Sequence, residues 1–475
     1  MWAPVQVING LPVIWQQTYG ATLTGLITAR TTLILALSLA YANAADQREL
    51  EGRRQRAASA FADGILLVHA RSAQIDETDG FRQDPAFYYL TGLENTPGAI
   101  LAIDGRSRQS WLFLPSRALY WKILPPEGRL DSGAVQRAGI QHVVDWSELE
   151  GFLDASSGTG CPLYYVGENA MSELPENLTG QPALAAGDGY ESQMPAWVAI
   201  IGKRWPSFVL KDARERMYAL MDAPSESELV SLRTAAKATV GSVIAGIQAV
   251  RLGASQRSAE WAMANACGQS GARHSSWPWA MSGPNAVRPM FNTSPGRYDH
   301  LDRVMNSGEL VRIDDGCEVD HYGADLGRTV PASGRFTLEQ REIWNVLVAA
   351  YRCGANSIRE GATLDQVYAA WRNELAHHRA SVKTPLAKEA IERWSKRENL
   401  DAFMVHTLSP NEGFAEEPFR AGTAIAFEPQ VSINGQAFFL EDNFVITHTG
   451  TELLSPGLPY TAEEIEAVMR KRGVR

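Results

Sequence analysis

Cysteine is sparse in this chain. There are four in 475 residues, Cys161, Cys267, Cys317 and Cys353, and no two of them form a CxxC pair. That excludes a thiolate zinc site, whose ligands come in close pairs, and leaves either one or two disulfides or buried free thiols. Positive charge is also short: 44 Lys and Arg stand against 54 Asp and Glu, a net charge of −10. With no basic stripe, nothing here would neutralise a phosphate backbone, and nucleic acid is excluded as a partner. Long apolar runs are missing too. The run Thr31 to Ala40 is too short to cross a bilayer, so no membrane span is expected. Heptad runs, internal repeats and long low-complexity tracts are absent.

What is present is an ordinary globular composition, 45% hydrophobic and 21% charged, in a chain too long for one core. Two domains are expected behind a leader. Arg30 is the only charged residue before Asp46, it precedes the apolar run, and Ala42-Asn43-Ala44 supplies a small-x-small cleavage pattern. Residues 1–44 therefore read as a secretory signal, with a mature start near Ala45 and an exported product.

Downstream, a charged helix from Gln47 leads into the apolar strand Gly64 to His69. Strands Ala99 to Ile103 and Trp111 to Leu114 follow, in an α/β alternation that continues to about Leu178. The Ala- and Gly-rich stretch Gln181 to Gly189 reads as a linker. Ser225-x-x-Glu228 is a capping box opening a helix through about Val250, and a second helix runs from Ser258 to Gly268. Leu338 to Arg359 and Leu364 to His377 are two more amphipathic helices. The charged stretch Lys383 to Asn399 has no assigned place and reads as a surface insertion.

Between these helices lies the stretch that carries chemistry, Gly308 to Thr337. It reads as two antiparallel strands joined by a turn at Asp314-Asp315-Gly316, delivering Asp314 and Asp325 to one point. Two buried carboxylates repel each other, so one must hold a proton or a cation must sit between them.

Ile313-Asp314-Asp315-Gly316, Tyr322-x-x-Asp325-x-x-Arg328-Thr329 and Gly334-Arg335-Phe336-Thr337 together resemble the metal-binding hairpin of the aminopeptidase P, prolidase and methionine aminopeptidase superfamily. The segment Phe81-Arg82-Gln83 through Tyr89-Leu90-Thr91-Gly92 is similar to the N-terminal domain of the aminopeptidase P branch. The resemblance implies an α/β (α+β) fold, with an aminopeptidase P-like N-terminal domain over residues 45–185 and a pita-bread peptidase domain over 200–475. It further implies Xaa-Pro aminopeptidase activity, a peptide substrate with proline at its second position, one or two divalent ions of the Mn²⁺ type, and a homodimer. Glu428, in Phe427-Glu428-Pro429, and Glu441, in Leu440-Glu441-Asp442, match the family's last two metal carboxylates. The implied metal set is thus Asp314, Asp325, Glu428 and Glu441, with His406 and Glu428 as catalytic residues.

Four positions depart from the family pattern, one of them the family's later His, which falls on Glu416 or Glu417, or on Ala415 if aligned on the Glu-Glu-Pro. Aligned on Gly413, the ligating His falls on Pro410, which has no side-chain donor; a slip of four residues would instead bring His406 to that position. Met290 stands where a substrate-facing His is expected, and Phe439 where the family has an Arg before the last metal Glu. The readings left open are a weakened Xaa-Pro aminopeptidase and an inactive relative that binds a peptide or small ligand. A metal-free, creatinase-like C–N reaction ranks last, since that branch dispenses with the acids that this chain keeps.

Overall fold

The computed structural model describes residues 47–71, 82–114, 132–158, 160–167, 196–275, 278–287, 303–399, 404–408, 415 and 417–471. The expected leader, Phe81, Tyr120-Trp121, the linker at 181–189, Met290, Pro410 and Gly413 lie outside them.

The first sheet is built from short apolar strands. β1 (Ile65–His69) pairs antiparallel with β2 (Ile100–Asp104) and parallel with β5 (Pro162–Gly167). β3 (Gln109–Leu114), β4 (His142–Asp145) and β6 (Val209–Asp212) complete the order β4-β3-β2-β1-β5-β6. Successive side chains of a strand point to opposite faces, and here both faces are covered. Leu66, Val68, Leu101 and Ile103 join one apolar cluster with Phe61, Phe87 and Leu90. Ile65, Leu67, Ile100 and Ala102 join another with Leu153, Ile201 and Phe208. The helices that pack into these two clusters are α1 (Gln47–Ala60), α2 (Pro85–Thr91), α3 (Ser132–Ala138), α4 (Glu148–Ser156), α5 (Ala196–Arg204) and α6 (Arg214–Met221). Asp84 caps α2, accepting from the Phe87 N–H at 3.0 Å, with Pro85 at its first turn.

α7 (Glu226–Ala249) opens on the expected capping box, Ser225 and Glu228 exchanging side-chain and backbone hydrogen bonds, and α8 (Gln256–Gln269) packs along it. Beyond them lies the second sheet, β13-β14-β16-β12-β9-β8. Its strands are β8 (Trp279–Ser282), β9 (Leu310–Asp315), β12 (Leu326–Pro331), β13 (Val405–Thr407), β14 (Ala424–Phe427) and β16 (Gln436–Ile446), with β15 (Gln430–Ile433) and β17 (Thr451–Leu453) also paired to β16. α9 (Leu338–Ser357) and α10 (Leu364–His378) are the two expected amphipathic helices, and α12 (Ala462–Arg470) is a further helix that was not anticipated.

Two expectations are corrected. The acid-bearing stretch is not a simple hairpin. β9 and β12 do pair antiparallel, but residues 317–323 fold into their own small ribbon, β10 (Cys317–Val319) and β11 (Tyr322–Gly323), held against β7 (Arg273–His274). The crossing between the two sheets happens at Gly316, where any Cβ would run into the Ala324 carbonyl oxygen and Ser275 Oγ. The stretch 383–399 is not a surface insertion either. It forms α11 (Pro385–Trp394), which buries Leu386, Ala387, Ala390, Ile391 and Trp394 in the main core. Its charges had masked a stripe spaced 3–4 residues apart.

The ribbon is also where the first sheet's layer meets the second. Arg82 pairs with Glu318, and His321 donates to Glu94 while its ring lies 4.1 Å from that of Tyr88. Arg53 reaches Glu228 at 3.5 Å. Of the cysteines, Cys267 and Cys317 form a disulfide tying α8 to the ribbon, while Cys161 and Cys353 are free thiols.

Candidate metal centre

Strand register places the acids. Gly327 of β12 sits opposite both Asp314 on β9 and Glu441 on β16, so these three residues form one row across the sheet. Asp325 precedes β12, and its backbone is clamped by Asn443: the Asn443 side chain accepts from the Asp325 N–H at 2.9 Å and donates to the Asp325 carbonyl at 2.6 Å. Glu428 follows β14, with its N–H on the Met404 carbonyl at 2.9 Å. His406 lies on β13, opposite Ala426.

His406 is the hub. Its Nε2 lies 3.3 Å from Glu428, 3.8 Å from Glu441 and 3.9 Å from Asp325. Its Nδ1 is 2.9 Å from the Thr407 carbonyl, which can only accept, so Nδ1 carries a hydrogen and Nε2 faces the acids. Burial alone would lower the imidazole pKa. The neighbouring carboxylates of Glu428, Glu441 and Asp325 outweigh it and hold His406 well above its ordinary value. Burial pushes Glu441 well above the usual carboxylate range, helped by the charges of Glu428 and Asp314. Glu428 is raised as well, chiefly by burial, against the pull of His406.

Among the described residues, Asp325, His406 and Glu441 each offer a ligand atom within 4.8 Å of the others. Both Glu441 carboxylate oxygens are buried without a hydrogen-bond partner among the described residues. A buried carboxylate left this way is costly unless something positive completes it. Hard oxygens plus one imidazole nitrogen suit Mn²⁺, Mg²⁺, Fe²⁺ or Zn²⁺. The residues present therefore fit a divalent ion.

Of the residues expected from the sequence, Asp325, Glu441 and His406 come together, Glu428 touches His406 beside them, and Asp314 stands outside the tight grouping. Asp314 instead accepts from Arg312 Nη2 at 2.7 Å. Arg312 also donates to Gln430 at 2.6 Å and lies with its guanidinium 3.9 Å from the Phe439 ring centroid. Sequence reasoning missed Arg312, although a charged residue inside the buried strand Leu310 to Asp315 was a usable signal. It also passed over the support behind the sheet. Asp442 points away from Glu441, as alternation requires, and accepts from Arg328, Tyr351, Ser455 and Tyr460 at 2.7–2.9 Å. That network anchors β16 from its far face, which fixes where Glu441 can point.

Comparison with known proteins agrees with this architecture. The profile of metallopeptidase family M24 matches residues 230–448, and that of the aminopeptidase P N-terminal domain matches residues 50–161. The chain is 24% identical over 462 residues to the Xaa-Pro aminopeptidase of Escherichia coli K12, covering 89% of this chain and 98% of that one. Its fold superposes on the structure of aminopeptidase P from E. coli with a TM-score of 0.69 at 23% identity, over 91% of this chain and all of the other. Proline aminopeptidase P II from Yersinia pestis gives 0.69 at 22% identity, over 90% of this chain and all of the other. With its N-terminal α/β domain, its second sheet and the acids that sheet carries, the chain belongs to the aminopeptidase P branch of metallopeptidase family M24.

Proposed function

We propose that the protein is a metal-dependent aminopeptidase of the Xaa-Pro type, releasing an N-terminal residue that precedes proline. The observation that carries this is the buried Glu441 carboxylate, whose oxygens have no hydrogen-bond partner among the described residues and which faces His406 Nε2 beside Asp325. Asp325, Glu441 and His406 would hold the ion, with Asp314 and Glu428 at its margin. A divalent ion there supplies Lewis acidity to a carbonyl and to water.

The chain's own residues do the rest. Glu428, 3.3 Å from His406 Nε2, is placed to take a proton from an attacking water and return it to the leaving amine. His406 is held on the Thr407 carbonyl, which keeps its Nε2 turned toward the acids. Burial raises the Glu428 pKa, which is the direction a group that must pick up and return a proton needs. Because Met290 stands in place of a substrate-facing His, one proton donor is missing, and general acid–base help is worth roughly 10²–10⁴ in rate. Slow turnover is expected. The Arg312–Asp314 pair, which occupies one of the acids, favours a second reading in which the site binds a peptide without cleaving it.

The test is release of the first residue from an Xaa-Pro peptide by metal-stripped protein, with and without added Mn²⁺. Mn²⁺-dependent release that disappears in Glu428→Gln supports the reading. Binding of the peptide with no release at any metal concentration would move the assignment to the second reading.

A further inference from the structure

Phe439 is the position where the sequence lacks the arginine its family pattern carries, yet a guanidinium is present at that place in the fold. It comes from β9, on the far side of β12. Arg312 and Asp314 are two apart on β9 and share a face, as do Phe439 and Glu441 on β16. Between them runs β12, where Gly327 lies opposite both acids and Thr329 lies opposite Arg312. The Phe439 N–H donates to Thr329 Oγ1 at 2.8 Å, which aligns the Arg312 and Phe439 row beside the row of acids. The Arg312 guanidinium is stacked on the Phe439 ring and joined to Asp314.

We infer that Arg312 is a positioning residue for Asp314 and that it takes over, from β9, the guanidinium that residue 439 no longer supplies. Three side chains make the exchange possible. Phe439 offers a flat face for the guanidinium to lie on. Gly327 leaves the space that the ring fills, since a Cβ there would sit 2.6 Å from Phe439 Cδ1. Gln430 receives the second arm of the fork at 2.6 Å, so the group is held at two points. Asp314 is almost fully buried, and a charge so placed needs a partner. With Arg312 on Oδ2, Asp314 keeps its position beside Glu428 and Glu441 and its other oxygen stays free of that bond. The alternative, that Arg312 is only a core residue with an incidental contact, makes no use of its placement against a residue that departs from the pattern.

This inference rests on the proposed metal-binding reading, and the experiment separates the two. Mn²⁺ affinity of the metal-stripped full-length protein is measured by titration calorimetry for native, Arg312→Leu, Arg312→Lys and the relocated double variant Arg312→Leu/Phe439→Arg. Urea midpoints are measured on the same metal-free proteins. Arg312→Leu should lose roughly 10–100-fold in Mn²⁺ affinity, as loss of a residue that orients a ligand does. Arg312→Lys should lose less, and the double variant should regain both affinity and urea midpoint relative to Arg312→Leu. A double variant no better than Arg312→Leu in either measurement overturns the inference, because a guanidinium at 439 would then be no substitute. If the native protein binds no Mn²⁺, the metal reading fails by itself. The relocation is then decided by the urea midpoints alone, where rescue sustains it and no rescue refutes it.

Discussion

Adding one methyl group at Gly327 should unsettle the centre of the second sheet more than its size suggests. A Cβ built there lies 2.6 Å from Phe439 Cδ1 and 2.9 Å from Cζ, and closer still to Cε1, where real Cβ contacts stay beyond about 3.0 Å. The ring cannot easily yield. Phe439 is fully buried, its N–H is held by Thr329, and the Arg312 guanidinium lies 3.9 Å from its centroid. Overpacking of a filled core costs ~1–3 kcal/mol. The chain has more than one core, so the proper readout is the midpoint of the thermal transition rather than a two-state free energy. At about 2–4 °C per kcal/mol for a domain of this size, Gly327→Ala should lower it by ~2–12 °C. The structure also says where the cost comes from. In a Phe439→Leu background the ring atoms that meet the new methyl are gone, so Gly327→Ala should cost markedly less there. Equal drops in both backgrounds would refute the reasoning, because the ring would not be what the methyl strikes.

Four further outcomes are expected. Asn443→Ala frees the Asp325 backbone groups it now binds on both sides; each buried group left unpaired costs ~1–3 kcal/mol, so the melting midpoint should fall and Mn²⁺ binding should weaken together. The Cys267–Cys317 bridge has a sequence separation of 50, which in the chain-entropy account is worth up to ~4 kcal/mol; thermal midpoints with and without reductant test it, and no shift would show that the bond is not formed. Burial alone would raise the Glu94 pKa, but the hydrogen bond and charge of His321, with Arg273, hold it below its ordinary value of 4.5. Its contribution to the contact between the N-terminal layer and the ribbon is therefore complete above that value and lost as pH falls through the depressed one, and Glu94→Gln should flatten the acid side of a midpoint-against-pH curve. Chelation should lower the midpoint of Mn²⁺-loaded protein; loading at 100 times the dissociation constant contributes about 2.7 kcal/mol, and an unchanged midpoint would speak against a bound ion.

The acids were legible in the sequence because the order of Asp314, Asp325, Glu428 and Glu441, each beside its own short motif, is hard to mimic. The capping box at Ser225 was readable for the same reason, as a local pattern with a local cause. What escaped needed register. Nothing in the sequence says that residue 312 on one strand ends up against residue 439 on another, because β12 intervenes and only pairing brings the two rows together. The ribbon at 317–323 escaped because its partner, β7, comes from more than forty residues upstream. α11 was lost under its own surface charge, with its apolar stripe interleaved among Lys388, Glu389 and Glu392. His406 was singled out as catalytic, but its place among the acids depends on β13 pairing with β14, a short contact that no motif announces.

The most direct test of the account is the position of the ion itself, read from the anomalous scattering of a crystal grown with Mn²⁺. The account predicts a peak at roughly 2.0–2.6 Å from His406 Nε2 and from carboxylate oxygens of Asp325 and Glu441, with His406 drawn off Glu428 to meet it. A cluster with no peak under saturating Mn²⁺, or a peak that leaves His406 bound only to Glu428, would contradict it.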